Sequence, residues 1–188
     1  MFIQTEQTPN PQTLKFLPGK VVMNVGTAFY QNIEEANDSP FARRLFGIAG
    51  VTGVFFGSDF ITITKSLDYD WQVLKPSVLG GIMDHFNSND NTIEKLAKKE
   101  SENKVQKNEA DSEIVKQIKE LLDTRVRPAV AMDGGDIIYN DFEDGIVYLK
   151  MQGACSGCPS STATLKMGIE NMLKHYIPEV QEVRPVDA

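Results

Sequence analysis

Cys155 and Cys158 are the only cysteines among 188 residues, and they stand three positions apart in Gly153-Ala154-Cys155-Ser156-Gly157-Cys158-Pro159. Two thiols at that spacing point to chemistry at sulfur. The alternating run Ile146-Val147-Tyr148-Leu149-Lys150-Met151 predicts a strand before them, and Ser160 to Tyr176 predicts a helix after them. Both thiols then fall on a strand-to-helix turn. The unpaired N–H groups and partial positive charge of a helix N-terminus favour thiolate over thiol, so the turn is expected to lower the thiol pKa values. Gly153 and Gly157 lack Cβ atoms and allow the backbone to curl around an anionic object. Pro159 suits a first helical turn, where no N–H donor is needed.

Three uses of such a pair compete. A disulfide staple is the least informative, because a chain of this length has enough core to fold without one and shows no secretory features. A thioredoxin-like redox pair also opens a helix after a strand, but residues 159 to 188 are too few for the strands and helix that follow its active site. Metal binding remains. Zinc and iron–sulfur clusters normally require four protein ligands, and one chain supplies two thiolates. The histidines do not complete the set. His175 lies 17 residues beyond Cys158 on the predicted helix, roughly 25 Å away, and His85 falls at the end of a different predicted helix in a different domain. Both read as ordinary surface or edge residues. Two chains therefore have to pool Cys155 and Cys158 around one centre, which predicts a homodimer.

Composition frames that site. A hydrophobic content of 41% supports packed cores, and the formal net charge of −7 argues against nucleic-acid binding. No apolar run approaches the roughly 20 residues of a membrane span. Met1-Phe2-Ile3-Gln4-Thr5-Glu6 has neither a signal-peptide core nor an arginine-rich transit pattern. A cytoplasmic location is expected, with the mitochondrial matrix the alternative if a presequence has been removed.

The expected fold class is α+β: two small α/β sandwich domains, residues 1–86 and 112–188, joined by a flexible polar linker over 87–111. The linker segment carries five lysines, six acidic residues and no aromatic residue. It has too few apolar positions to anchor a helix, and a flexible chain of that length reaches roughly 25–30 Å. In the first domain, strands are predicted over 2–7, Leu14–Leu17 and Val21–Val25, a short helix opens at Ser39-Pro40, and a hairpin joins Val51–Phe56 to Phe60–Lys65. A helix follows from about Tyr69 to Phe86, with Pro76 either in its first turn or at a kink. Gly47, Gly50, Gly53 and Gly57 do not match a nucleotide-binding spacing and read as turn residues. Arg43-Arg44 reads as a solvated helix face, and no catalytic set is present.

The second domain predicts the order α-β-β-α-β. Apolar positions 114, 115, 118, 121, 122 and 126 have a helical period, Pro128 predicts a break, and Asp133-Gly134-Gly135-Asp136 stops the helix. Asp133 and Asp136 fall short of a calcium shell. Strands Ile137–Asn140 and Ile146–Met151 form a hairpin, the helix after the thiols buries Ala163, Leu165, Ile169, Met172 and Leu173, and Val180–Val186 closes as a strand with Pro185 near an edge.

These residues carry a family resemblance over nearly the whole chain. Met-Asp-Gly-Gly-Asp at 132–136, Gly-Ala-Cys-Ser-Gly-Cys-Pro-Ser-Ser-Thr at 153–162 and Thr-Leu-Lys-Met-Gly-Ile-Glu at 164–170 resemble the NifU-like domain. Thr-Pro-Asn-Pro at 8–11, Lys-Phe-Leu-Pro-Gly at 15–19, Ser-Pro-Phe-Ala at 39–42 and the run from Val54 to Lys65 resemble the Nfu N-terminal domain. The resemblance implies a non-enzymatic iron–sulfur carrier. It implies a 4Fe–4S cluster shared by two chains through Cys155 and Cys158, with 2Fe–2S the lesser possibility, passed from an upstream assembly scaffold to apo target proteins. A cluster held by two thiolates from each chain is easily surrendered, as a carrier requires. An assembly scaffold, a ferredoxin-like electron carrier and a zinc-bridged structural adaptor stand as alternatives, since thiolates alone do not distinguish zinc from iron.

Overall fold

The computed structural model describes residues 2–88, 113–157 and 159–186, with the side chains of 159–161 excepted. The expected linker helix near Thr92–Lys99 and the second thiol, Cys158, lie outside the described residues. The chain is α+β and divides into two compact units.

The first unit contains a five-stranded antiparallel sheet in the order β1-β2-β5-β4-β3. Its strands are β1 (Gln4–Gln7), β2 (Thr13–Leu17), β3 (Ala28–Tyr30), β4 (Val51–Phe56) and β5 (Ile61–Lys65). Alternation along them places Leu14, Phe16, Val54, Phe56, Ile61 and Ile63 in one core. Helix α1 (Pro40–Phe46) contributes Phe41, Ala42 and Leu45 to that core, and α2 (Trp71–Asn87) contributes Leu74, Val78 and Ile82. Ser39 caps α1 as expected, its Oγ accepting the Ala42 N–H at 3.1 Å. Pro76 lies in the second turn of α2, which continues through it.

Two expectations for this unit fail. Val21–Val25 is not a strand, because the Val22 and Met23 N–H groups both donate to the Ser58 carbonyl, at 2.8 and 3.2 Å, instead of to a ladder. The third strand lies at Ala28–Tyr30. Helix α2 runs through Asn87, one residue into the segment read as linker. His85 is not a surface residue: it is 5% exposed, with its ring stacked on Phe41 at a centroid distance of 3.7 Å.

The second unit begins with helix α3 (Glu113–Leu121), passes through a π-turn at Leu122–Val126 and continues as α4 (Arg127–Met132). The break falls where Pro128 predicts one, because proline lacks an N–H and its ring crowds the carbonyl four residues earlier, and Pro128 takes a first-turn position in α4. Strands β6 (Gly135–Glu143) and β7 (Ile146–Gly153) form the expected hairpin, closed by Asp144 and Gly145 at φ 50° and 80°. Helix α5 (Pro159–Tyr176) then crosses to β8 (Glu182–Val186), which pairs parallel to β7 at the sheet edge and so accommodates Pro185. Glu170 docks the strand, its Oε2 accepting the Val183 N–H at 3.1 Å while Oε1 accepts from Lys174.

Ile118, Leu122, Ile137, Leu149 and Leu173 are at most 2% exposed and form the centre of this core. Each contributes about 1.5–3 kcal/mol by burial. Ile169 is buried with them, whereas Ala163, expected on the same face, is exposed. Among the described residues no helix is long and apolar enough to cross a membrane.

Candidate functional site

Strand β7 is central in its sheet: β8 pairs with its first part, Ile146–Lys150, and β6 pairs along its whole length, so its end at Gly153 is held by Gly135 of β6. The chain then turns at once. Gly153 has φ 62° and Gly157 φ 79°, conformations that a side chain disfavours. Within the turn, the Cys155 N–H donates to the Gln152 carbonyl at 3.3 Å, and the Ser156 N–H donates to the Gly153 carbonyl at 3.1 Å. Thr162 reaches back from α5, its Oγ1 donating to the Cys155 carbonyl at 3.3 Å. The predicted strand-turn-helix arrangement is therefore present around Cys155.

The environment of that thiol differs from the expectation. Cys155 is 7% exposed and packs in the apolar core with Ile137 and Met151. Burial pushes its pKa up to about 12, and the negative charges of Asp133 and Asp136 act in the same direction. The helix-terminus argument predicted the opposite sign; desolvation wins because the sulfur faces the core.

Gly135 explains how the sulfur fits. A Cβ at Gly135 would lie 2.4 Å from the Cys155 Sγ, 2.9 Å from the Gln152 carbonyl oxygen and 3.0 Å from the Cys155 nitrogen. The thiol occupies the space that any larger residue would need. Gly134, at φ 82°, accepts the Ala154 N–H at 3.1 Å through its carbonyl. The Gly134-Gly135 pair thus ends helix α4, as expected, and also forms the wall against which the thiol turn rests.

Asp136 follows directly, 3% exposed and bound by Arg127 through two nitrogens. Its hydrogen bonds hold the Arg127 guanidinium pKa above the usual arginine value. Sequence reading placed Asp136 in the helix stop, set it aside as a calcium ligand, and missed Arg127 altogether. The available signal was an arginine nine residues before an acid across a helix stop, which becomes a pair only once the helix and β6 fold together. Opposite Asp136 in the sheet stands Gln152, 9% exposed, whose buried Oε1 has no hydrogen-bond partner among the described residues.

His85 lies in the first unit, stacked on Phe41, and His175 is exposed at the far end of α5 from the thiol turn, against Tyr176. Among the described residues no three His, Cys, Asp or Glu side chains gather into a metal-binding group. A four-ligand centre at Cys155 has to draw on residues outside that set.

An α+β unit that carries a cysteine on a strand-to-helix turn follows, in the same chain, an α+β unit without cysteine. Residues 3–89 match the family model "Scaffold protein Nfu/NifU N terminal", and residues 118–184 match "NifU-like domain". The chain belongs to the Nfu/NifU family.

NifU-like protein 4, mitochondrial, of Arabidopsis thaliana is 54% identical over 97% of this chain and 65% of its own length. The human NFU1 iron-sulfur cluster scaffold homolog, mitochondrial, is 54% identical over 99% of this chain and 72% of its own length. This chain thus spans about two thirds of the length of such relatives. A solution structure of a NifU-like protein from Saccharomyces cerevisiae is 27% identical, covers 47% of this chain and 81% of that one, and has a TM-score of 0.43.

Proposed function

We propose that this chain is an iron–sulfur cluster carrier in which Cys155 and Cys158 of two copies hold one 4Fe–4S cluster and deliver it to apo target proteins. The observation that carries the reading is the thiol turn: a cysteine at the end of a central strand, with a helix behind it, in a chain whose human relative is named as an iron–sulfur cluster scaffold homolog. Cluster thiolates have to be deprotonated, so loading a thiol that is protonated in the free chain releases protons. Two ligands from each chain leave the cluster open to exchange once the copies separate. We assign the cysteine-free domain, about residues 1–86, to partner binding, and residues 112–188 to the cluster, with 87–111 as the tether that raises the local cluster concentration near an acceptor. On this reading the protein is a binder, not a catalyst, and works in a reducing compartment, the cytoplasm or the mitochondrial matrix.

Anaerobic reconstitution tests the proposal. About two irons and two sulfides per chain are expected, with four thiolates completing one 4Fe–4S unit per dimer, and Cys155→Ala or Cys158→Ala should abolish uptake. The loaded protein should then activate an apo 4Fe–4S enzyme while losing its own cluster, with a chelator present to intercept free iron. Zinc at one per dimer without visible absorption refutes the cluster, and a cluster that stays bound through repeated reduction and oxidation refutes delivery.

A further inference from the structure

Asp136 is a carboxylate that is only 3% exposed, and Arg127 meets it as a fork: Nε donates to Oδ1 at 2.9 Å and Nη2 donates to Oδ2 at 2.8 Å. Oδ1 also accepts the Ile137 N–H at 2.8 Å. The remaining guanidinium nitrogen, Nη1, donates to Asp123 Oδ1 at 3.1 Å, inside the π-turn. One side chain therefore ties the π-turn and the start of α4 to the start of β6.

Stability alone is a weak reason for such a pair. Removing charges from water costs about as much as their attraction returns, and a well-packed apolar pair often serves as well. A bidentate fork adds a fixed distance and angle. What it fixes is adjacent to it. Gly135 immediately precedes Asp136, and the Cys155 sulfur fills the space of its missing Cβ. The Gly134 carbonyl takes the Ala154 N–H, so the backbone locked by Asp136 is also the wall and anchor of the thiol turn. Asp136 already engages both oxygens in these bonds, which makes it a support and not a ligand.

We propose that Arg127 and Asp136 are a positioning pair that sets how long the thiol turn keeps its cargo, by holding Gly134-Gly135 against Ala154-Cys155. Loosening the fork lets the glycine wall shift, and the Cys155 sulfur loses its fixed seat. The cargo part of the inference rests on the reading that this turn holds an iron–sulfur cluster; the clamp part does not.

The full chain carrying Arg127→Lys keeps the positive charge but loses the fork, and Asp136→Asn keeps the shape but loses the charge. Amide hydrogen exchange in the cluster-free protein should show the Ala154 and Cys155 N–H groups exchanging about tenfold faster in either variant, with Val147 and Leu173 unchanged. In reconstituted protein, visible absorbance under a fixed chelator concentration should decay about tenfold faster, within the range for supports behind metal ligands. Arg184→Gln, which removes a surface arginine paired with Glu182, should alter neither reading.

Unchanged exchange at Ala154 and Cys155 overturns the clamp, as does equal loss of protection at Leu173, which would mean general loosening. Faster exchange with unchanged cluster decay overturns the link to cargo. If Arg127→Lys does not fold, Asp136→Asn carries the same expectations, and failure of both to fold assigns the pair to stability alone. A wild-type chain that takes up no cluster refutes the proposed function and the cargo link together, while the exchange measurement still decides the clamp.

Discussion

Replacing Gly135 by alanine tests the packing of the thiol most directly. The new methyl would lie 2.4 Å from the Cys155 Sγ, 2.9 Å from the Gln152 carbonyl oxygen and 3.0 Å from the Cys155 nitrogen. Comfortable contacts between such atoms begin near 3.5 Å, so the sulfur has to retreat by roughly 1 Å. Two of the three obstacles are backbone atoms of the turn and cannot rotate away. Gly135 is not among the glycines at positive φ, so the cost arises from contact and not from backbone strain. Overpacking of this kind costs about 1–3 kcal/mol, and the reduced freedom of the unfolded chain returns about 0.4–1 kcal/mol. The contact term wins. A net loss near 1–2 kcal/mol lowers the melting temperature of a domain this small by roughly 4–16 °C.

The assay separates the two units without cutting the chain. Trp71, the only tryptophan, belongs to the first unit, so its fluorescence should melt as in wild type while circular dichroism shows the second unit melting earlier. On the proposed reading Cys155 is a cluster ligand, so cluster uptake should fall as well. A Gly135→Ala protein that melts with wild type and loads a full cluster would falsify the packing argument.

Other measurements follow from the same structure. Cys155 is protonated in both folded and unfolded chains below pH 9; above that the unfolded chain releases the proton while the folded chain retains it to about pH 12. Stability of the cluster-free second domain should therefore fall across that window by up to about 1.4 kcal/mol per pH unit relative to Cys155→Ser, and matching alkaline denaturation of the two proteins would contradict it. Gln152→Met removes a buried oxygen that has no partner among the described residues and should raise the melting temperature of the cluster-free chain by about 4–8 °C, the equivalent of about 1 kcal/mol. Gly80→Ala and Gly168→Ala place a methyl in open space on α2 and α5 and should each stabilise their domain by about 0.5–1 kcal/mol in chemical denaturation; a loss in either would reveal a contact absent from the free chain.

Local signals carried most of the architecture. The alternation in Ile137–Asn140 and Ile146–Met151 was sufficient for the β6–β7 hairpin, although β6 runs on through the expected turn to Glu143; the spacing of Val115, Ile118, Leu122 and Val126 was sufficient for a helical face, and Pro185 for an edge strand. The thiol turn was equally legible, since a strand, two glycines and a proline bracket it. What was not legible depends on distant partners. Val21–Val25 has strand composition, yet the N–H groups of Val22 and Met23 are claimed by Ser58, far along the chain. His85 looked isolated until α1 brought Phe41 over its ring. The sign of the Cys155 shift was misjudged because Gly135, twenty positions upstream, turns the sulfur towards the core, and nothing near the cysteine reports that. The Arg127–Asp136 fork was hidden for the same reason.

The parallel pairing of β8 with β7 also sets an order of events during synthesis. Strand β7 ends at the thiols, but one of its two neighbours, Glu182–Val186, is made only after all of α5. At typical synthesis rates that interval is on the order of seconds. Throughout it, the strand leading into Cys155 has an open edge, and the core that shields the sulfur is incomplete. The turn at Cys155 therefore reaches its final packing only once Glu182–Val186 has been made and has paired with β7.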